Sequence, residues 1–362
     1  MKQSIIEQDL EYIYNRLPEK CGFKGSRIVV TGCAGFIGYT VMNFFNRYAE
    51  ELGIISITGL DNFIMGRPKW LDRIAKNSRI HIKHFDVVSD RLDSIEGLDK
   101  ADYVMHMASI ASPVYYRQHP LETLDSNVAG LRNLLDFYRG KKLKGLLFMS
   151  SSEIYGNPDE AHIPTSETYS GYVASIGPRA CYDESKRIGE TLCYIFSKEY
   201  GMPITIVRPF NNYGPGTRLN DKRVTADFVS SIMEGKDIVI LSDGTPKRTF
   251  CYIADAVLGY FKALLYGKFD YFNIGIEKPE ISVNTLAGLY AKAAQKVCGY
   301  QGKVVYSKPC EADYLTDNPQ RRCPDMTKAR KSLNFNPEIY IEDGIVRYLR
   351  FFMESPESEY IW

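Results

Sequence analysis

In the stretch GPRACYDESKRIGE, Gly177–Glu190, Tyr182 and Lys186 stand four residues apart. On a helix that spacing stacks two side chains on one face. An ammonium beside a phenol favours the phenolate, and a phenolate near neutral pH is a base that can take a proton from an alcohol. The spacing alone selects nothing, because Tyr138 and Lys142 share it. What precedes each pair separates them. FMSSSEIYG reads as the end of a buried strand, so Ser151 and Glu153 emerge at one sheet edge just before the helix of Tyr182, whereas Tyr138 closes a helix ahead of that strand. A serine hydroxyl can hold the alcohol that the tyrosine deprotonates. Ser151, Glu153, Tyr182 and Lys186 are therefore the candidate catalytic set.

A second group of residues could hold a dinucleotide. IVVTGCAGFIG sets Gly32, Gly35 and Gly38 between an apolar strand and a helix start. Glycines there permit a tight turn and let backbone N–H groups approach a pyrophosphate at the helix N-terminus. A glycine trio is weak evidence alone, and its place between strand and helix is what strengthens it. Phe36 and Ile37 belong to the same turn. The second strand ends at Asp61, followed by Asn62, 61 − 32 = 29 residues after the first glycine. A carboxylate at that position accepts ribose hydroxyls and repels a 2′-phosphate, which selects NAD over NADP. The competing role is that of a surface aspartate starting a turn. Asp86 and Val87 end a third strand near the adenine, and Met107, Ala108 and Ser109 end a fourth as a floor. Tyr182 and Lys186 reach the cofactor from the other side. His106, inside the fourth strand, reads as structural.

These residues need elements to position them. From Arg27 to Arg208 short apolar strands alternate with helices, which specifies a parallel sheet covered on both faces, here an α/β fold of Rossmann type, doubly wound. LETLDSNVAGLRNLLDFYRG reads as one helix and IIEQDLEYIYNRL as an N-terminal helix. After Arg208 the rhythm breaks in RPFNNYGPGTRLNDKR. The expected organisation is an N-terminal extension over 1–26, an NAD-binding domain over 27–208 and a smaller α/β substrate lobe over 209–362. Parts of 250–275 are expected to return to the first domain.

The 362 residues carry 45 basic and 44 acidic side chains, a net charge of +1, which gives no basic surface for nucleic acid. No apolar run approaches the roughly 20 residues of a membrane span, and the polar start MKQSIIEQDLEY is unlike a secretion signal. The eight cysteines form no C-x-x-C pair and no cluster with metal spacing, so no metal is expected and the thiols read as reduced, in a cytoplasmic protein. Cys181, beside Tyr182, is the thiol to check for reactivity, although packing is the plainer role.

TGCAGFIG, HMASIASPVYYRQHP, SSSEIYG, IGPRACYDESKR, RPFNNYGPG, KRTFCYIAD and NPQRRCPDMTKAR together resemble the extended short-chain dehydrogenase/reductase family acting on nucleotide sugars. Within it the chain is most similar to the branch that decarboxylates UDP-glucuronate. The resemblance implies a Ser151, Tyr182, Lys186 triad, an acid at Glu153, and substrate contacts at Ser112, Ser152, Arg179, Asn211, Arg223, Arg248 and Arg322. Without the motifs each arginine would read as a surface ion pair. The implied chemistry is redox-neutral oxidation at sugar carbon 4, loss of carbon dioxide and re-reduction, with NAD retained and UDP-xylose released. A 4-epimerase is the alternative, and it would leave Glu153 idle. A 4,6-dehydratase would need an aspartate where Ser152 stands. A non-catalytic NAD(H)-binding protein would have no use for the intact triad. Ser185 departs from the family glycine between the catalytic pair, and SGYVASIGP from the family loop. The resemblance also implies a homodimer through the helices near 121–139 and 181–199.

Overall fold

The computed structural model describes residues 3–309, 313 and 315–355; Cys310 lies outside the described residues. The chain opens with α1 (Ile5–Arg16), whose Ser4 and Glu7 cap its first turn reciprocally. There follow β1 (Arg27–Thr31), α2 (Phe36–Tyr48), β2 (Ser56–Asp61), α3 (Trp70–Ile74), β3 (Ile80–His84) and β4 (Tyr103–His106). Next come α4 (Pro113–Gln118), α5 (Pro120–Asp125), α6 (Leu131–Tyr138), β5 (Gly145–Met149), α7 (Ala180–Tyr200) and β6 (Ile204–Pro209).

The central sheet is parallel in the order 7-6-5-4-1-2-3, where β7 is Asp270–Ile274. The strand order reverses between β1 and β4, so a crevice opens beyond their C-terminal ends. Thr31, Asp61, His106 and Met149 all arrive at that edge. Along β1 successive side chains serve opposite faces: Ile28 and Val30 pack with α1, α2 and α9 (Ile253–Leu265), and Val29 packs with α6 and α7.

The stretch expected as one helix over 121–140 is instead α5, a π-turn at Ser126–Gly130, and α6. Apolar spacing runs through the π-turn, so the pattern does not reveal it. The rest of the molecule builds the second lobe from α8 (Val224–Met233), α10 (Val283–Cys298) and α12 (Ile341–Glu354). A small three-stranded sheet there joins Ile281–Ser282, Lys247–Arg248 and Arg321–Arg322.

Candidate active site

β5 is buried along its whole length and runs out at Met149. Ser151 then caps the next turn, its hydroxyl accepting from the Glu153 N–H at 3.2 Å. α7 lies tight against β5 because Gly189 has no side chain: a Cβ there would sit 2.4 Å from Phe148 Cζ. This close approach brings Tyr182, two turns earlier, over the sheet edge. Lys186 Nζ donates to the Met149 carbonyl at 2.8 Å and lies 5.6 Å from the Tyr182 ring centroid. Tyr116 stacks on Tyr182 at 5.1 Å and 10°. Tyr138, by contrast, is buried and donates to the Leu98 carbonyl at 3.0 Å.

The electrostatics correct one expectation. Burial pushes the Tyr182 phenol up to about 12, against a smaller downward pull from the neighbouring Ser151 hydroxyl, and pushes Lys186 down to about 7. Desolvation dominates, and the Lys186 ammonium donates to a carbonyl rather than to the phenol. The phenol is thus protonated at neutral pH unless further positive charge is brought beside it. His106 is buried with Nδ1 2.8 Å from Thr31 Oγ1, and burial, reinforced by Lys186, pushes it down to about 3. It is a neutral structural group.

Folding gathers a charge cluster from three distant segments. Arg322 donates to both carboxylate oxygens of Glu153, at 2.5 Å to Oε2, and Arg179 donates to the same group. Arg179 also lies 3.5 Å from Asp183. Burial raises both carboxyls. At Glu153 the charges of Arg179 and Arg322 prevail and hold it well below the usual range; at Asp183 burial and the Glu153 charge prevail and push it up. Arg248 is parallel to Arg322 in register, and burial pushes it down to about 9 with Arg322 adding to the effect. It donates to the carbonyls of Lys247, Pro319 and Gln320 and to Asn318 Oδ1. The guanidinium groups of Arg322 and Arg248, expected from the resemblance to contact substrate, are thus already engaged by protein groups where they border the larger cavity. The Arg322 Nε, however, is buried with no hydrogen-bond partner among the described residues, and the Arg179 Nε has only the 3.5 Å ion pair with Asp183.

The glycine turn forms the cofactor end. Gly32 has φ +71°, and a Cβ there would lie 2.7 Å from the Met107 carbonyl. α2 starts at Phe36 with no side-chain cap, so its first N–H groups face the crevice uncapped by side chains. Asp61 accepts from Ala34 N at 2.9 Å and Phe63 N at 2.8 Å, one bond to each oxygen, which leaves each a further lone pair. Its first task is thus to brace the turn. Asp86 accepts from Asn62 at 3.0 Å and from the Val88 N–H at 2.8 Å. The Ser109 hydroxyl is buried without a partner among the described residues. A cradle that a Cβ would fill, uncapped helical N–H groups and an orphaned hydroxyl fit a dinucleotide, with Gly35, Ile37, Gly38, Val87, Met107 and Ala108 lining the walls.

Two adjoining cavities, about 430 and 290 Å³, divide the crevice. The smaller holds Asp61 and Asp86; the larger holds Ser151, Ser152, Glu153, Tyr182 and the arginines. Asn211 lines the larger one with Nδ2 on the Thr249 carbonyl at 2.9 Å. Arg223 pairs with Asp221, and Ser112 donates to the Asp221 carbonyl at 2.5 Å. Cys181 is half-buried, 3.6 Å from the Tyr116 carbonyl, and burial pushes its thiol up, away from the thiolate form. Sequence reasoning missed Tyr116, Asp183 and Arg218. The first two lie inside motifs already singled out, Asp183 directly after the base; nothing local marks Arg218.

The pattern of the NAD dependent epimerase/dehydratase family matches residues 28–275. The chain is 32% identical over 333 residues to UDP-glucuronic acid decarboxylase 1 of Xenopus tropicalis, covering 92% of this chain and 73% of that one. It is 34% identical over 337 residues to UDP-glucuronic acid decarboxylase 1 of Arabidopsis thaliana, covering 93% and 72%. Among solved structures, UDP-glucose 4-epimerase of Thermotoga maritima with UDP-glucose superposes with a TM-score of 0.77 at 27% identity, covering 91% of this chain and 99% of that one. The UDP-glucuronic acid 4-epimerase of Bacillus cereus, in complex with UDP-glucuronic acid and NAD, gives 0.74 at 24% over 91% and 99%, a likeness of fold alone.

Proposed function

The chain belongs to the NAD-dependent epimerase/dehydratase family, and from that premise we propose that it converts UDP-glucuronate to UDP-xylose through a 4-keto intermediate. The observation that carries this reading is the charge cluster beside the base. Arg179 and Arg322 grip Glu153, Arg248 stands beside Arg322 in register, and Asp183 is pushed toward neutrality, which leaves an excess of positive charge and, among the described residues, an unpartnered N–H on Arg322. A sugar carboxylate suits that surplus, and a neutral hexose has no use for it. The relatives matched over most of their length are named as decarboxylases of this substrate.

Bound in the cleft, NAD⁺ supplies a reversible store for the hydride of sugar carbon 4 and a positive ring beside the phenol. Tyr182 takes the proton from the hydroxyl on that carbon, with Lys186 assisting and Ser151 holding the same oxygen. A ketone at carbon 4 is beta to the carboxylate, so loss of carbon dioxide leaves an enolate on that oxygen. Tyr182, now carrying the proton, and Ser151 are the donors that stabilise it. Glu153, fixed by two arginines, orients the cationic groups around the departing carboxylate. Once carbon 5 has taken a proton from solvent and the ketone is reduced again, Tyr182 would return its proton to the oxygen on carbon 4.

A 4-epimerase is the second reading, favoured by the likeness to the Thermotoga enzyme. Its test is wild-type protein on UDP-glucose, with interconversion to UDP-galactose as the outcome that would replace decarboxylation. Arg322→Ala should suppress decarboxylation and leave NAD⁺ binding intact. A homodimer through α5 and α7, whose Leu121, Leu124, Ile188, Tyr194 and Ile195 are exposed, belongs to the same proposal, as does a cytoplasmic location, to be checked by imaging the tagged chain. Among the described residues no helix is long and apolar enough to cross a membrane.

A further inference from the structure

One loop of the second lobe, residues 217–223, is bonded to both cofactor-lobe loops that flank the crevice. Arg218 donates to the Met65 carbonyl, and its second amino group lies 3.5 Å from the Gly66 carbonyl, both in the loop after β2. Tyr115, in α4 beyond β4, donates to the Asn220 carbonyl at 3.0 Å, and Ser112 donates to Asp221. Arg223 lies 5.2 Å from the ring of Phe36, the residue that opens α2 above the glycine turn. Arg218 borders both cavities, which also share Gly32, Gly35, Met65 and Met107. Its charge also attracts Asp61. Within the 62–66 loop the bonds are short-range, Phe63 N to Asp61, Ile64 N to Asn62, and Gly66 N to the Phe63 carbonyl at 2.7 Å, and its base is tied to β3 and the residues after it by Asn62 on Asp86 and Phe63 beside His84, so Arg218 grips the far end of the loop.

We infer that the 217–223 loop is a clasp across the dinucleotide and that Arg218 is its latch. By gripping the carbonyls at 65 and 66 from the opposite lobe, Arg218 keeps the loop after β2 folded over the adenosine cavity. Tyr115 and Ser112 fix the other end of the clasp to the loop after β4. A dinucleotide lying across both cavities can leave only when these bonds open. An enzyme that stores and returns a hydride within each turnover gains from such retention. The inference rests on the dinucleotide-holding part of the reading above and not on which sugar is used. Arg218 is thus a positioning residue for cofactor retention.

The test uses the full-length protein loaded with NADH and chased with excess NAD⁺, with release followed by NADH fluorescence and no sugar present. Arg218→Met should release NADH about tenfold faster, the scale of a lost hydrogen bond from a charged group, at an unchanged thermal midpoint. Arg218→Lys, which retains a cationic donor, should recover part of the retention. Tyr115→Phe loses a single hydroxyl and should release NADH about threefold faster; it decides the matter if Arg218→Met does not fold. Wild-type release rates in the folded variants would overturn the clasp alone. A wild-type chain that binds no NADH would overturn it together with the cofactor assignment.

Discussion

Burial holds the Tyr182 phenol protonated, so the general-base role proposed for it requires positive charge brought beside it. Tyr182→Phe removes one hydroxyl and keeps the stack on Tyr116. It should fold normally and lose at least about a hundredfold in turnover, the scale of general-base catalysis; near-normal turnover would remove Tyr182 from that role. Glu153→Gln leaves Arg179 and Arg322 buried without their counter-charge. Breaking a buried pair in this way costs about 3–5 kcal/mol, so chemical denaturation of this variant should show a loss of that order as well as a loss of activity. That Ser151, Tyr182 and Lys186 come together was legible in the sequence, because Tyr182 and Lys186 lie on one helix and Ser151 follows the preceding strand. The clamp on Glu153 was not, since its partners are 26 and 169 residues away and nothing local marks them as neighbours.

At the scale of elements, α1 shows the same division. Its apolar spacing predicted a helix, and Ile5, Leu10 and Ile13 are buried. Periodicity could not show that Asp9 is also turned inward, accepting from Tyr252 at 2.6 Å and Arg347 at 2.8 Å, or that Tyr12 reaches Asp255 at 2.5 Å. These bonds tie the helix to α9 and α12. Burial pushes Asp9 up to about 7 from 3.8, with Tyr252 and Arg347 opposing. A carboxyl raised in the folded state contributes stability that is full below its unfolded value near 3.8 and is lost as pH rises through about 7. Asp9→Asn keeps an acceptor for Tyr252 and cannot ionise. Between pH 4 and 7 the wild type should therefore lose more stability with rising pH than the variant does, as read by denaturant titration. Parallel slopes would mean that Asp9 stays ionised against Arg347. The π-turn at Ser126–Gly130 escaped for another reason: Gly130 packs so closely on Val87, where a Cβ would lie 2.6 Å from Cγ2, that tertiary contact rather than local pattern sets the helix geometry there.

At the scale of the whole molecule, alternation of strand and helix was enough to specify the parallel sheet and the crevice at its reversal. It did not reveal the clasp at 217–223, because that segment reads only as a polar loop rich in turn residues. The exposed apolar side chains of α5 and α7 predict self-association. Sedimentation at micromolar concentration should show a dimer, and Leu121→Glu with Ile188→Glu should yield a folded monomer; a monomeric wild type would contradict the interface. Loss of the sugar carboxylate is the step that separates the proposed decarboxylase from an epimerase. Purified protein incubated with UDP-glucuronate and catalytic NAD⁺, with the nucleotide sugar followed by mass spectrometry, should form UDP-pentose with release of carbon dioxide and no net NADH. Recovery of the intact hexuronate, or its 4-epimer without carbon dioxide, would contradict it.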